Sequence, residues 1–363
     1  MTTNPRAPDR PVTVAEQLQR IIARALSGLP GPLLVRLSGR PPVVIDGQTL
    51  DPHVQLVLAM RKKRGVPGLV EPNPQVGRAR FRRECLAMGR PSTEVGNVRD
   101  LEIPGPAGPL RVRHYAPDAQ GPQPLTVYLH GGGFVIGDLD THDEACRILC
   151  REGRMHILAV DYRLAPEHPF PAAPDDTHAA LRWAQAHAAE LGADPARVAI
   201  GGDSAGGNLA AVVAREAARD GSPPVAQLLI YPATDSETVR PSEEKFSDGY
   251  FLSTADRQGF SKCYTGGTGY TGLDPRVSPL RSDDMGGLPP ALVVTAGFDI
   301  LRDEGDAYAE ALKAAGTRTE HLRIPSLGHG FLHMTTITPA ARAAMVRIAR
   351  DWRGVLDEVV ARG

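Results

Sequence analysis

From about Leu101 onward, short apolar runs alternate with longer stretches of helical spacing. Leu110 to Tyr115 alternates apolar with polar or charged residues, as a half-buried strand does. Compact apolar runs follow at Leu125–Leu129, Ile157–Val160, Val198–Ile200, Leu228–Ile230, Ala291–Thr295 and His321–Ile324. Helical stretches separate most of them, at 140–152, 175–191, 205–219, 303–315 and 339–360. This alternation predicts an α/β fold, with a mostly parallel central sheet covered by helices on both faces.

Two regions depart from that grammar. Residues 12 to about 100 read as helices and loops. Val14 to Leu26 has the apolar spacing of a helix and is broken at Gly28–Pro32; Val54 to Met60 predicts a second amphipathic helix, ending near Gly65 and Pro67. Val43-Val44-Ile45 is short and ambiguous. Residues 233–287 follow a core strand but contain no strand pattern. They hold Phe246, Tyr250, Phe251, Phe260, Tyr264 and Tyr270 in a chain that is only 5% aromatic, which predicts a lid over a site; a plain excursion packed on the core is the alternative. The chain therefore divides into an N-terminal helical region (1–100), a first core part (101–232), an insertion read as a lid (233–287) and a second core part (288–363).

Composition narrows the function without choosing it. At 42% hydrophobic and 23% charged, the chain has the make-up of an ordinary globular protein. A net charge of −1 gives no global case for binding nucleic acid or an anionic membrane. The dense basic cluster Arg61-Lys62-Lys63-Arg64 reads as a solvated helix end. Cys85, Cys146, Cys150 and Cys263 have no zinc spacing and read as free thiols in a reducing compartment. Pro5, Pro8, Asp9, Arg10 and Pro11 replace the layout of a signal peptide, and no run is long and apolar enough for a membrane span. A cytoplasmic protein without stable membrane insertion is the expectation.

The candidate chemistry begins at Gly202-Asp203-Ser204-Ala205-Gly206, which fits G-x-S-x-G. A strand run leads in and a helical run leads out. A serine on such a turn exposes its hydroxyl and aims the next backbone N–H at the same spot. With a nucleophile so placed, the acid and then the histidine follow in chain order. Three histidines remain downstream: His321 in a strand pattern, His329 in the turn Leu327-Gly328-His329-Gly330-Phe331, and His333 beyond it. The loop after a strand favours His329 as base. Asp299 ends the run Val293-Val294-Thr295-Ala296-Gly297-Phe298 and is the candidate acid. Asp303 is the runner-up, because Asp303, Glu304 and Asp306 have a helix-dipole explanation. His130-Gly131-Gly132-Gly133-Phe134 follows the strand Leu125–Leu129 and lets backbone N–H groups approach an oxyanion, with Ala205 completing the set. A phosphate loop would need the lysine and Ser/Thr that are lacking here.

These stretches resemble the hormone-sensitive lipase family of α/β-hydrolases, in particular its bacterial esterase branch. The likeness rests on His130–Phe134, Asp161-Tyr162-Arg163-Leu164-Ala165-Pro166-Glu167-His168-Pro169-Phe170-Pro171, Gly202–Asn208, Asp299-Ile300-Leu301-Arg302-Asp303-Glu304-Gly305 and Asp274–Leu280, and covers about 100–355. It implies Ser204 as nucleophile, His329 as base, Asp299 as acid, and oxyanion donors at Gly132, Gly133 and Ala205. It also implies a cap built from the N-terminal segment and the insertion after Pro232. Phe134 beside the glycine loop, and Tyr250, Phe251 and Leu252 in the aromatic-rich insertion, are candidate substrate contacts. His130 and Glu167 are expected to be structural.

The expected activity is hydrolysis of short- to medium-chain carboxylic esters through an acyl-serine, with a small-molecule ester as partner and neither metal nor organic cofactor. Homodimers are frequent in such a family. An amidase or small-molecule deacetylase would use the same triad. An interfacial lipase lacks a long exposed apolar segment here. A binding-only receptor on this fold, as plant gibberellin receptors are, would have lost the histidine that is present at His329.

Overall fold

The computed structural model describes residues 28–88 and 93–360; the helix expected over Val14–Leu26 lies outside them. The described chain opens with helix α1 (Gly31–Leu37), the two-residue strands β1 (Val44–Ile45) and β2 (Gln48–Thr49), and helices α2 (Pro52–Lys63) and α3 (Pro74–Ala87). The core follows as β3 (Asn97–Gly105), β4 (Gly108–Ala116), β5 (Gln123–Leu129), α4 (Asp143–Gly153), β6 (His156–Val160), α5 (Ala172–His187), β7 (Ala193–Asp203), α6 (Ala205–Arg219) and β8 (Gln227–Ile230). Helices α7 (Pro241–Lys245) and α8 (Thr254–Thr265) lie in the insertion, and β9 (Ala291–Phe298), α9 (Arg302–Ala314), β10 (Thr319–Gly328) and α10 (Pro339–Val360) complete the chain.

Eight strands form one sheet in the order β10-β9-β8-β7-β5-β6-β4-β3. Only β4 runs against the rest, since it pairs antiparallel with both β3 and β6 while the other pairs are parallel. Every residue of β6, β8 and β9 is buried, as strands covered on both faces must be. The β5–α4–β6 crossover steps toward one edge and β6–α5–β7 steps back. Right-handed crossovers therefore put α4 and α5 on opposite faces of the sheet. Helix α10 packs on α4, and Trp352 from α10 donates its indole N–H to Thr126 Oγ1 of β5 at 3.0 Å.

The N-terminal elements have local reasons to form. Asp51 accepts hydrogen bonds from the His53 and Val54 N–H groups, and Pro52 opens α2. Asn73 and Pro74 do the same for α3. The ambiguous Val44-Ile45 pairs with Gln48-Thr49 across Asp46-Gly47, where both φ angles are positive (53° and 73°) as a tight hairpin requires. Strand β3 starts at Asn97, ahead of the change of grammar expected near Leu101; Arg99 and Asp100 break the apolar–polar alternation on this edge strand and hide its start in the sequence. In α8 a capping box joins Ser253 and Asp256. The same Asp256 carboxylate accepts from the Leu69 and Val70 N–H groups, fastening the N-terminal segment to the insertion. Among the described residues no helix is long and apolar enough to cross a membrane.

Candidate active site

Ser204 sits at the junction of β7 and α6 with φ 55°, outside the range side chains prefer. The turn is crowded. A Cβ on Gly206 would run into the Leu129 carbonyl, and one on Gly202 would meet the Gly206 backbone. Glycine at both positions is therefore a steric requirement of this bend. The Ser204 N–H donates to the Ile230 carbonyl at 2.9 Å, which ties the bend to β8.

His329 reaches the same place from the loop after β10. Its Nε2 lies 2.9 Å from Ser204 Oγ, and its Nδ1 lies 2.8 Å from Asp299 Oδ2. The Asp299 carboxylate is fully buried, and its other oxygen accepts from the Leu301 N–H at 2.9 Å. Such an acceptor holds the proton on Nδ1 and leaves Nε2 to accept from the serine hydroxyl. Burial alone would lower the His329 pKa, but the charge and hydrogen bond of Asp299 outweigh it and raise the net value above 6.5.

The glycine loop after β5 faces this pair. Gly131 donates its N–H to Asp203 Oδ1 at 3.0 Å, and Tyr128 donates its hydroxyl to the same oxygen at 2.9 Å. Burial would push the Asp203 carboxyl up, yet His142 and the Tyr128 hydroxyl hold it down at about 2. The residue beside Ser204 thus pins the loop to the nucleophile turn. Gly132 and Gly133 adopt φ of 120° and 59°, and both line the cavity with Ser204 and Ala205. The Ala205 N–H opens α6 and has no intrahelical acceptor. Gly132, Gly133 and Ala205 therefore line the space beside Ser204.

That space is a cavity of about 430 Å³. Helices α2 and α3 wall one side with Val57, Met60, Phe81 and Cys85; the insertion walls another with Phe251, Leu252, Phe260 and Tyr264. Phe134 also lines it and stacks on Tyr264 with ring centroids 3.7 Å apart. Tyr250, expected as a substrate contact, is not a lining residue: its ring packs on Phe246 and Phe298 instead. Aromatic density in the sequence points to Tyr250, but density does not say which ring turns inward.

The rival residues have other partners. Asp303 accepts from the Ser242 N–H at 2.8 Å and so holds the start of α7. His321 faces Thr295 and Asp306 on the far part of β10. His333 stands in a short helical turn, 3.7 Å from the Cys85 thiol, and burial lowers its pKa to about 3. His130 stacks on Tyr162 (4.3 Å), whose hydroxyl donates to the His130 carbonyl. Glu167 pairs with Arg78 of α3, which also donates to the Val135 and Ala165 carbonyls, so Arg78 joins α3 to the loops after β5 and β6.

One lining residue was given only a helix-start role in the sequence. Glu304 is buried, accepts from the Thr234 N–H at 2.7 Å and pairs with Arg257 of α8 at 3.0 Å. Burial pushes its carboxyl up to about 7. Arg257 is one of many charged residues of the insertion, so nothing local in the sequence singles it out as the partner of Glu304.

Comparison with known proteins agrees with this architecture. A family profile described as the α/β hydrolase fold matches residues 126–333. The carboxylic ester hydrolase LipN of Mycobacterium tuberculosis is 46% identical over 343 residues, covering 93% of this chain and 91% of the relative. Carboxylesterase NlhH of the same organism is 44% identical over 66% of this chain and 76% of its own length. Among solved structures, the ester hydrolase EH1AB1 from the metagenome of Lake Arreo superposes with a TM-score of 0.80 at 42% identity, covering 84% of this chain and 98% of that one. An esterase from Pyrobaculum calidifontis gives 0.75 at 38% identity, covering 78% and 94%. With this sequence likeness, this sheet order and this strand–serine–helix turn, the chain belongs to the hormone-sensitive lipase-like branch of ester hydrolases within the α/β-hydrolase family.

Proposed function

We propose that the chain hydrolyses carboxylic esters of short to medium acyl length through an acyl-enzyme on Ser204. The observation that carries the reading is the relay from Ser204 Oγ to His329 (2.9 Å) to Asp299 (2.8 Å) at the floor of an apolar cavity. Ser204 Oγ attacks the ester carbonyl carbon as its proton passes to His329 Nε2. The new oxyanion is met by the N–H groups of Gly132, Gly133 and Ala205. His329 then gives its proton to the departing alkoxide, and the alcohol leaves. Water attacks the acyl-serine with His329 again as base, which frees the acid and restores Ser204. Asp299 stays ionised throughout and steadies the imidazolium.

The free thiols at Cys85, Cys146, Cys150 and Cys263 support a reducing, cytoplasmic setting. A small-molecule ester is the partner this site needs. The cavity lies within the range of about 300–1,000 Å³ that suits a small ligand, which favours short and medium chains over long-chain triglycerides. The test is kcat/KM over p-nitrophenyl esters from acetate to palmitate, with an anilide matched to the best acyl group. Turnover that rises with chain length and then drops, with the ester well ahead of the anilide, is expected. An anilide as fast as its ester would favour an amidase instead, and a flat profile up to palmitate would remove the length claim.

A further inference from the structure

Helix α2 ends in Arg61-Lys62-Lys63, with Arg64 as its C-cap in helical backbone conformation. Basic residues suit the C-terminus of any helix, where carbonyl ends concentrate negative potential. Two of the four do something more. Arg61 and Arg64 are three residues apart, so they share a helix face, and both line the cavity above Ser204.

Their situations differ. Arg61 is half-buried, donates to Glu84 at 2.9 Å and lies 5.9 Å from the Phe251 ring. Arg64 is exposed and has no ion pair or side-chain hydrogen bond among the described residues. Apart from Ser236, it is the exposed member of the lining set, so it marks where the cavity meets solvent. The other charges of the lining are matched. Glu84 faces Arg61 and Arg80, Asp235 faces Arg281 and Arg240, and Arg257 lies between Glu243 and Glu304. On the lining face of α2, Val57 and Met60 come a turn or more before Arg64, and Leu69, Phe81 and Phe251 add further apolar lining. A substrate arm lying along this face of α2 would run past apolar side chains to an unmatched, exposed guanidinium.

We propose that Arg64, with Arg61 beside it, forms an anion subsite at the rim, and that the preferred ester carries a carboxylate or phosphate at the outer end of its apolar arm. The inference rests on the esterase reading above. A guanidinium fork matches a planar carboxylate or a phosphate, while the apolar walls hold the chain between the anion and the ester carbonyl. The anionic arm belongs either to the acyl group or to the alcohol, and the shared chemistry is an amphiphilic anion.

Two matched pairs test it. Mono-p-nitrophenyl suberate against p-nitrophenyl octanoate places the charge on the acyl side. The butanoate ester of 6-hydroxyhexanoate against hexyl butanoate places it on the alcohol side. Each pair is read as a ratio of kcat/KM, charged over neutral, at low and high salt. An ion pair at an exposed rim is worth about two- to fivefold. Arg64→Gln should lower the ratio by that factor in one pair, Arg64→Lys should keep most of it, and salt should erode it in wild type. Lys63→Gln, an equal charge change at an exposed position off the lining, should leave it alone. The same contrast is read without turnover as the Kd of Ser204→Ala for monoethyl suberate and ethyl octanoate. Turnover of the neutral esters with a ratio that Arg64→Gln does not move in either pair overturns the subsite and leaves the esterase reading standing. No turnover of any ester overturns the esterase reading, and the binding ratio then decides the subsite. A rate gain seen only on phosphatidylglycerol vesicles, with soluble ratios unchanged by Arg64→Gln, also overturns it and marks the rim as a surface contact.

Discussion

Replacing Asp299 by asparagine changes the chemistry of one buried side chain and almost nothing of its shape. Asp299 uses both oxygens: Oδ1 accepts from the Leu301 N–H at 2.9 Å and Oδ2 accepts from His329 Nδ1 at 2.8 Å. An asparagine can keep only one acceptor. Its carbonyl will face the Leu301 N–H, because two donors facing each other there would leave both unmet. The amide NH2 then points at His329 Nδ1 and forces that nitrogen to accept. The imidazole proton moves to Nε2, where it faces Ser204 Oγ, and the base can no longer take the serine proton. A loss of about 10⁴ in kcat is the scale for such a tautomer change, or about 5 kcal/mol of transition-state stabilisation. A second effect has a defined sign. Asp299 raises the His329 pKa against the lowering effect of burial, so wild-type kcat/KM should fall on the acid side with an apparent pKa above 6.5. In Asp299→Asn the raising charge is gone and burial remains, so the acid limb of the residual activity should move to lower pH. The assay is a pH–rate profile on a p-nitrophenyl ester for wild type, Asp299→Asn and Asp303→Asn. Asp303→Asn should weaken the hold on α7 and retain most of kcat. Asp299→Asn within tenfold of wild type, or Asp303→Asn as the worse of the two, would refute the reasoning.

Three further outcomes follow from particular contacts. Glu304 is held protonated by burial to about 7, whereas in the unfolded chain it ionises near 4.5, so the folded state gains from low pH and loses up to about 3 kcal/mol as pH rises from 4.5 through 7; the slope of Tm against pH over that window should flatten in Glu304→Gln, and an unchanged slope would count against the burial argument. Gly206→Ala drives a methyl into the Leu129 carbonyl at the nucleophile turn, which should lower stability by about 1–3 kcal/mol and remove most activity, read by thermal melts and by esterase rate. Phe251→Ala opens the cap wall of the cavity and should move the acyl optimum toward longer chains, and an unchanged length profile would take Phe251 out of the selectivity argument.

The parts of the molecule set by local chemistry could be read from residues alone. The runs at Leu228–Ile230 and Ala291–Thr295 are strands buried on both faces, where apolar side chains are required at every position. The helix at 205–219 has the stated bounds because Ser204 must leave the strand at a sharp turn. Ser204, Asp299 and His329 each follow a strand, and the parallel sheet delivers those strand ends to one edge. Less legible was what depends on distant packing. Helix α3 buries only Gly77 and Cys85 among its residues, so its apolar stripe is too thin to stand out, yet Phe81 and Cys85 reach the cavity. Tyr250 and Phe251 are neighbours in sequence, but Phe251 lines the cavity while Tyr250 packs on Phe298. Glu304 carried a sufficient local explanation at the start of a helix, which hid its link to Arg257 across the cap.

The most direct test of the central claim is covalent trapping at the nucleophile. The enzyme is treated with a p-nitrophenyl phosphonate, digested, and the modified peptide sequenced by mass spectrometry. The account predicts one adduct, on Ser204, formed together with complete loss of esterase activity, and neither adduct nor activity in Ser204→Ala. An adduct on a different serine, or a Ser204→Ala protein that still hydrolyses esters, would contradict it.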